Sequence, residues 1–234
     1  MLTLLMQFLS GEGNALMIME HIFVLIFVTV CCLPVHECAH AWMAEKLGDP
    51  TGRLKGRISL NPMDHLSLMG TVMLFVFGFG YAKPVPVNIR NFKKRKLYFA
   101  LTAIAGPVSN LILSFIFLLI ANSINAIMFV TASSSPVFGI AISFFSYSAM
   151  YNVMLAVFNL IPFPPLDGSR IFTMLLPDKI YYKLLGYEQY FIYVLWGIMF
   201  ISNRVLPFSP ISLLSELIFN AVYFVTSIPF SFIG

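Results

Sequence analysis

From Leu97 to Ser169 the chain carries one charged side chain, Asp167. A water-soluble domain has about 25% charged residues, so a stretch this long and this bare must face lipid. A bilayer core about 30 Å thick needs roughly 20 apolar residues per helical crossing, and the stretch holds more than one such crossing. The rest of the 234 residues agree, at 59% hydrophobic and 10% charged with mean hydropathy +0.87. These features predict an all-α polytopic membrane protein of five to six transmembrane helices. It forms a single domain over residues 1–234 with no room for a sizeable soluble module.

Ten of the fourteen Lys and Arg residues lie between Lys46 and Lys96. In a chain this apolar, such a cluster marks a cytoplasmic surface near anionic lipid and not a nucleic-acid site. The first span, 15–45, then starts outside a cell membrane and ends at this basic loop. Its purely apolar part, Ile22 to Val35, rises only about 21 Å. The helix must therefore continue through residues 36–44, with Pro34 as a kink. Residues 66–82, broken by Gly70, Gly78 and Gly80, lie between two basic loops. They are expected to dip into the membrane and return, and their Val, Phe and Gly content suits a β-hairpin as well as a helix. Core spans follow at 97–121 and 137–161, with 122–136 as an outer loop. A proline-rich segment, 162–176, precedes two C-terminal spans within 187–230. Residues 1–9 lack the basic leader of a signal peptide and read as interfacial.

Within the first span lies the H-E-x-x-H pattern, His36-Glu37-Cys38-Ala39-His40. On a helix His36 and His40 share a face one turn apart, and Glu37 lies at its edge. This is how a zinc hydrolase presents two ligands and a general base. Cys38 points away, and Cys31, Cys32 and Cys38 are expected to pack as buried thiols. A catalytic zinc needs a third protein ligand and an open position. Asp167 fits best, because an isolated carboxylate at membrane depth marks function and a cation would offset its burial. The competing reading is a helix-terminus carboxylate paired with Arg170. Asn110 and Asn159 are candidates to hold a substrate carbonyl or orient a ligand, or else to bond between helices. His65 is read as a loop stabiliser and His21 as interfacial.

Five stretches together carry a resemblance: His36–His40; Gly56–Pro62 (GRISLNP); Gly78–Asn88 (GFGYAKPVPVN); Gly106–Asn110 (GPVSN); and Asn159–Gly168 (NLIPFPPLDG). The chain resembles the site-2 protease family of intramembrane zinc metalloproteases, in a compact bacterial-type form without a PDZ or CBS domain. The resemblance implies one Zn²⁺ on His36, His40 and Asp167, with Glu37 as base. It also implies a β-like re-entrant loop after the first core span. The activity it implies is cleavage of membrane-protein substrates within a transmembrane segment, toward the cytoplasmic side, as in regulated intramembrane proteolysis. The alternative from another class is a membrane metal-binding or metal-transport protein using the same ligands without hydrolysis.

Overall fold

The computed structural model describes residues 15–77, 82–181, 183–184, 186–187, 190–191, 193–194, 197 and 210–231. Helix α1 (Ala15–Phe27) runs through a π-helical turn (Val28–Cys32) into α2 (Leu33–Lys46). Pro34 falls in the first turn of α2, immediately after the π turn. A proline there cannot donate a backbone N–H, and a wide turn absorbs the mismatch without ending the helix. At 32 residues the combined helix is longer than a bilayer core.

Two short helices follow, α3 (Thr51–Leu54) and α4 (Pro62–His65), and then α5 (Leu68–Phe77). The long helix α6 (Arg95–Val130) is antiparallel in sequence order to α7 (Pro136–Asn159). Helices α8 (Asp167–Thr173) and α9 (Pro210–Ser227) follow, with 3-10 turns at Ile89–Asn91 and Ile228–Phe230. Four segments are long and apolar enough to cross a membrane among the described residues: Ala15–Lys46, Arg95–Val130, Pro136–Asn159 and Ile211–Phe230. The expected span near 187–202 lies largely, and the interfacial segment 1–9 wholly, outside the described residues.

Three expectations change. Residues 122–130 are helical and not an outer loop, so the connection shrinks to 131–135. Asn122 and Ser123 look like loop formers but are satisfied within the bundle: Asn122 Nδ2 donates to Thr226 Oγ1 at 3.1 Å, and Ser123 Oγ to Leu119 O at 2.7 Å. The re-entrant segment is helical over Leu68–Phe77, and its described β structure is a single antiparallel bridge, Leu66 to Ala82. A ten-residue helix rises about 15 Å, half a bilayer core, and the bridge brings the segment's two ends together. Of the three thiols only Cys32 is buried; Cys38 is partly so, and Cys31 is exposed on the outside of the bundle.

The bundle has two packing centres. One joins α1, the π turn, α6 and α7 through Val24, Val28, Cys32, Phe117, Leu118 and Ala149. The other lies at the Lys46 end, where Ala44, Phe92, Phe99 and Tyr181 meet. Between α2 and α6 the connecting chain is pinned by Asp49, which is fully buried. Its carboxylate accepts from Thr51 N (3.1 Å), Thr51 Oγ1 (2.5 Å), Asn88 N (2.7 Å) and Asn91 Nδ2 (2.7 Å). Burial alone would raise its pKa, but these donors outweigh that cost and hold the carboxyl below its usual range. The arm 82–92 is thus fixed at both ends: by Asp49 at one, and at the other by the bridge and Lys83 N donating to His65 O at 2.7 Å.

Candidate metal centre

His36 and His40 lie one turn apart on α2 with their rings edge to face, centroids 4.6 Å apart. Both are buried, at 3% and 8% exposure. Their Nε2 atoms are 3.0 Å apart. The third member arrives from far along the chain: Asp167 Oδ2 is 3.4 Å from His36 Nε2 and 3.2 Å from His40 Nε2. Tetrahedral zinc with bonds of about 2.0–2.1 Å holds its ligand atoms roughly 3.3 Å apart, and these three separations match.

Hydrogen bonding on the far side of the rings supports the same fit. His40 Nδ1 lies 2.8 Å from the Thr102 carbonyl, which can only accept. That fixes the proton on Nδ1 and leaves a lone pair on Nε2 of the neutral ring. A lone pair facing a carboxylate at 3.2 Å is repulsive unless a proton or a cation lies between them, and three donor atoms around one point suit a cation. His36 Nδ1 is 3.1 Å from the Asn110 amide. The two ends of an amide are interchangeable in shape, so an inward lone pair on His36 requires the amide oxygen to face Nδ1. The three donor atoms therefore suit a divalent cation, and their N and O character suits zinc.

Glycines permit this convergence. A methyl group at Gly106 would stand 2.3 Å from His40 Nε2 and 2.5 Å from His36 Cε1. Helix α6 can lie against both imidazoles only because nothing projects there. At Gly168 a methyl would stand 2.1 Å from Leu160 O, so the residue after Asp167 must be bare for α8 to begin against the end of α7. Within the proline-rich turn Leu166 N donates to Phe163 O (2.9 Å), and Ser169 N to Leu166 O (3.0 Å). Those carbonyls are engaged by the turn itself. Arg170 stacks on Phe99 of α6 at 4.5 Å, and Lys96 Nζ reaches Leu176 O (2.6 Å) and Asp178 (2.5 Å). The segment carrying Asp167 is thereby strapped to the first turns of α6.

Glu37 is partly exposed and stands beside the three-residue cluster without joining it. Cys38, on another face of α2, meets the backbone of Ser59. Asn159 Nδ2 donates to Leu155 O of its own helix at 3.0 Å, whereas Asn110 reaches His36. His65 is buried and bonds Ser59 O at 2.8 Å. His21 stacks on Tyr147. Sequence reasoning missed three contributors. Thr102 acts through a backbone carbonyl, which leaves no trace in residue type. Gly106 acts through the absence of a side chain against both imidazoles, which no local pattern reveals. Asp49 sits in an Asp-Pro turn, where the local sequence signals a turn and not its distant partners Asn88 and Asn91.

The family described as Peptidase family M50 matches residues 22–201. The protein named "Putative zinc metalloprotease YwhC" of Bacillus subtilis (strain 168) is 44% identical over 168 residues, covering 71% of this chain and 75% of that protein. "Putative zinc metalloprotease Rip2" of Mycobacterium tuberculosis is 26% identical over 175 residues, covering 70% of this chain and 61% of that protein. No solved structure matches the chain.

Proposed function

The chain belongs to peptidase family M50 and is a membrane zinc metalloprotease, and from that premise we propose that it is an intramembrane endopeptidase, cleaving transmembrane segments of membrane-protein substrates. The observation that carries this is the convergence of buried His36 and His40 with partly buried Asp167 in a bundle whose helices are long and apolar enough to cross a membrane. His40 lies six residues, about 9 Å of helix, inside Lys46. Peptide bonds that reach it are those held at membrane depth.

His36, His40 and Asp167 would hold one Zn²⁺ per chain. When bound, the ion supplies Lewis acidity, polarising a carbonyl and bringing the pKa of water toward 7. Glu37 takes the proton from the attacking water and returns it to the leaving amine. Thr102 O and Asn110 keep the two imidazoles turned inward, so neither ring must reorient during the reaction. Asn159 stands at the end of α7 beside the turn that carries Asp167, where the amide N–H not used by Leu155 O would donate to a substrate carbonyl. Asn110, occupied with His36, acts by orienting a ligand.

A helical substrate hides its carbonyls in its own hydrogen bonds and must unwind before attack. The arm 82–88 has no helical bonding of its own and carries Pro84 and Pro86, so it offers extended backbone to an unwound strand. The basic loops beside Lys46 orient this end of the bundle toward the cytoplasm, with the amino terminus outside the cell membrane. Such placement suits regulated intramembrane proteolysis, in which a fragment is released to the cytoplasmic side.

The test uses the purified full chain in lipid nanodiscs, a single-span polypeptide, and a soluble unfolded peptide. Cleavage inside the apolar segment, stopped by a chelator and restored by zinc, is the expected result. Zinc-dependent cleavage of the soluble peptide alone, with the membrane-embedded one untouched, overturns the intramembrane reading.

A further inference from the structure

Just beyond the metal cluster, on the side away from Lys46, the bundle interior is polar where apolar packing is the rule. Asn110 and Ser114 on α6, Asn152 on α7 and Ser215 on α9 are all fully buried. The end of the Asn110 amide not facing His36, Ser114 Oγ, Asn152 Oδ1 and Ser215 Oγ have no hydrogen-bond partner among the described residues. An unpaired polar atom is costly in any protein interior, and more so inside a membrane.

Spacing along the helices puts the four close to one level. Asn110 touches His36, and Ser114 follows it by one turn on the same face of α6. Cys32 precedes His36 by about one turn on the first helix, and Asn152 of α7 lies beside it. Ser215 precedes Phe219 by one turn, and Phe219 packs on the cluster of Cys32, Phe117 and Leu118. Three turns further along α9, Thr226 is buried too and accepts from Asn122 of α6. The inward face of α9 therefore presents hydroxyl groups to α6.

Ser114 also departs from the habit of its neighbours. The hydroxyls of Thr29, Thr102, Ser123 and Ser148 each donate to the carbonyl four residues back in their own helix. Ser114 has the same option and does not take it. Its hydroxyl is buried with no partner on its own helix. In either orientation of the Asn110 amide, the end not facing His36 is left without a partner as well. A water molecule both donates and accepts, and it is stable in a protein interior when offered two to four polar partners.

We propose that Asn110, Ser114, Asn152 and Ser215 enclose an internal water site directly behind the metal cluster, and that this water steadies the Asn110 amide against His36. The pocket stands on the four side chains alone; its coupling to the metal rests on the reading of His36 as a ligand. Asn110 is thus a positioning residue with a hydrated support.

Two measurements on the zinc-loaded full chain in lipid test this. A high-resolution structure is expected to show water within about 3 Å of both the Asn110 amide and Ser114 Oγ. Side chains closed on one another with no density between them overturn the site. Zinc release into excess chelator is then compared for Ser114→Ala, which leaves room for water, and Ser114→Val, which fills it. Ser114→Ala is expected to stay within about twofold of the native rate and Ser114→Val to release zinc roughly tenfold faster. Equal rates in the two variants overturn the coupling. A native chain that retains no zinc would instead count against the metal reading, and the water density would be unaffected by that outcome.

Discussion

The same two helices meet in opposite ways at their two ends. Near Lys46, α2 meets α6 where Ala44 packs with Phe99 and Gly106 lies bare against the histidines, and a single added methyl at Gly106 would strike both imidazoles. Away from Lys46, α1 faces α6 and α7 through rings: Phe27 lies 5.7 Å from Phe117 and 5.1 Å from Phe144, around Val24 and Leu118. Small residues set a distance, whereas aromatic residues fill one. The first end is fixed by close backbone approach and by bonds to Thr102 and Asn110. The second holds the helices together without dictating where any one atom sits.

This contrast breaks if substitutions at the two ends have the same consequences. The largest effect is expected for Asp167→Ala: zinc content falls below about a tenth of native and cleavage drops to background, with helix content unchanged by circular dichroism. Gly106→Ala comes next. Its methyl displaces both rings, so zinc affinity should fall roughly a hundredfold in competition with a metal indicator. Phe117→Ala should do the reverse, lowering the thermal midpoint by several degrees while zinc stoichiometry stays native. Gly106→Ala that unfolds the protein with zinc binding intact, or Phe117→Ala that releases zinc without loss of stability, would erase the distinction.

The smallest effect concerns the loop outside the membrane. Asp49 is held below the usual carboxylate range, so its hydrogen bonds contribute stability fully above the unfolded value near 3.9 and lose it as pH falls through the lower folded value. Native protein should therefore lose protection of the 82–92 amides below about pH 4 in hydrogen exchange. Asp49→Asn should show weaker protection at neutral pH and a flatter acid profile.

What the sequence made legible follows from what each feature depends on. His36, Glu37 and His40 declare themselves because helix geometry alone puts them together. Asp167 is legible from its isolation, since no other charge occurs between Leu97 and Ser169. Pro34 signalled a helix irregularity but not its form, a π turn that lets the helix continue. The extension of α6 to Val130 was hidden because Asn122 is satisfied by Thr226, a partner 104 residues away. Segment 66–82 was ambiguous because Gly-rich apolar sequence suits helix and hairpin alike; the chain is helical at Leu68–Phe77. Sequence patterns expose what neighbouring residues decide, while long-range bonds and close approaches stay out of sight.

At the centre of this account is a hydrolytic role for Glu37 beside a buried cation on His36, His40 and Asp167. The most direct measurement pairs zinc content with cleavage of a single-span substrate for Glu37→Gln in lipid. The account predicts one zinc per chain, as in native protein, and no detectable product. Native-rate cleavage by Glu37→Gln would contradict it.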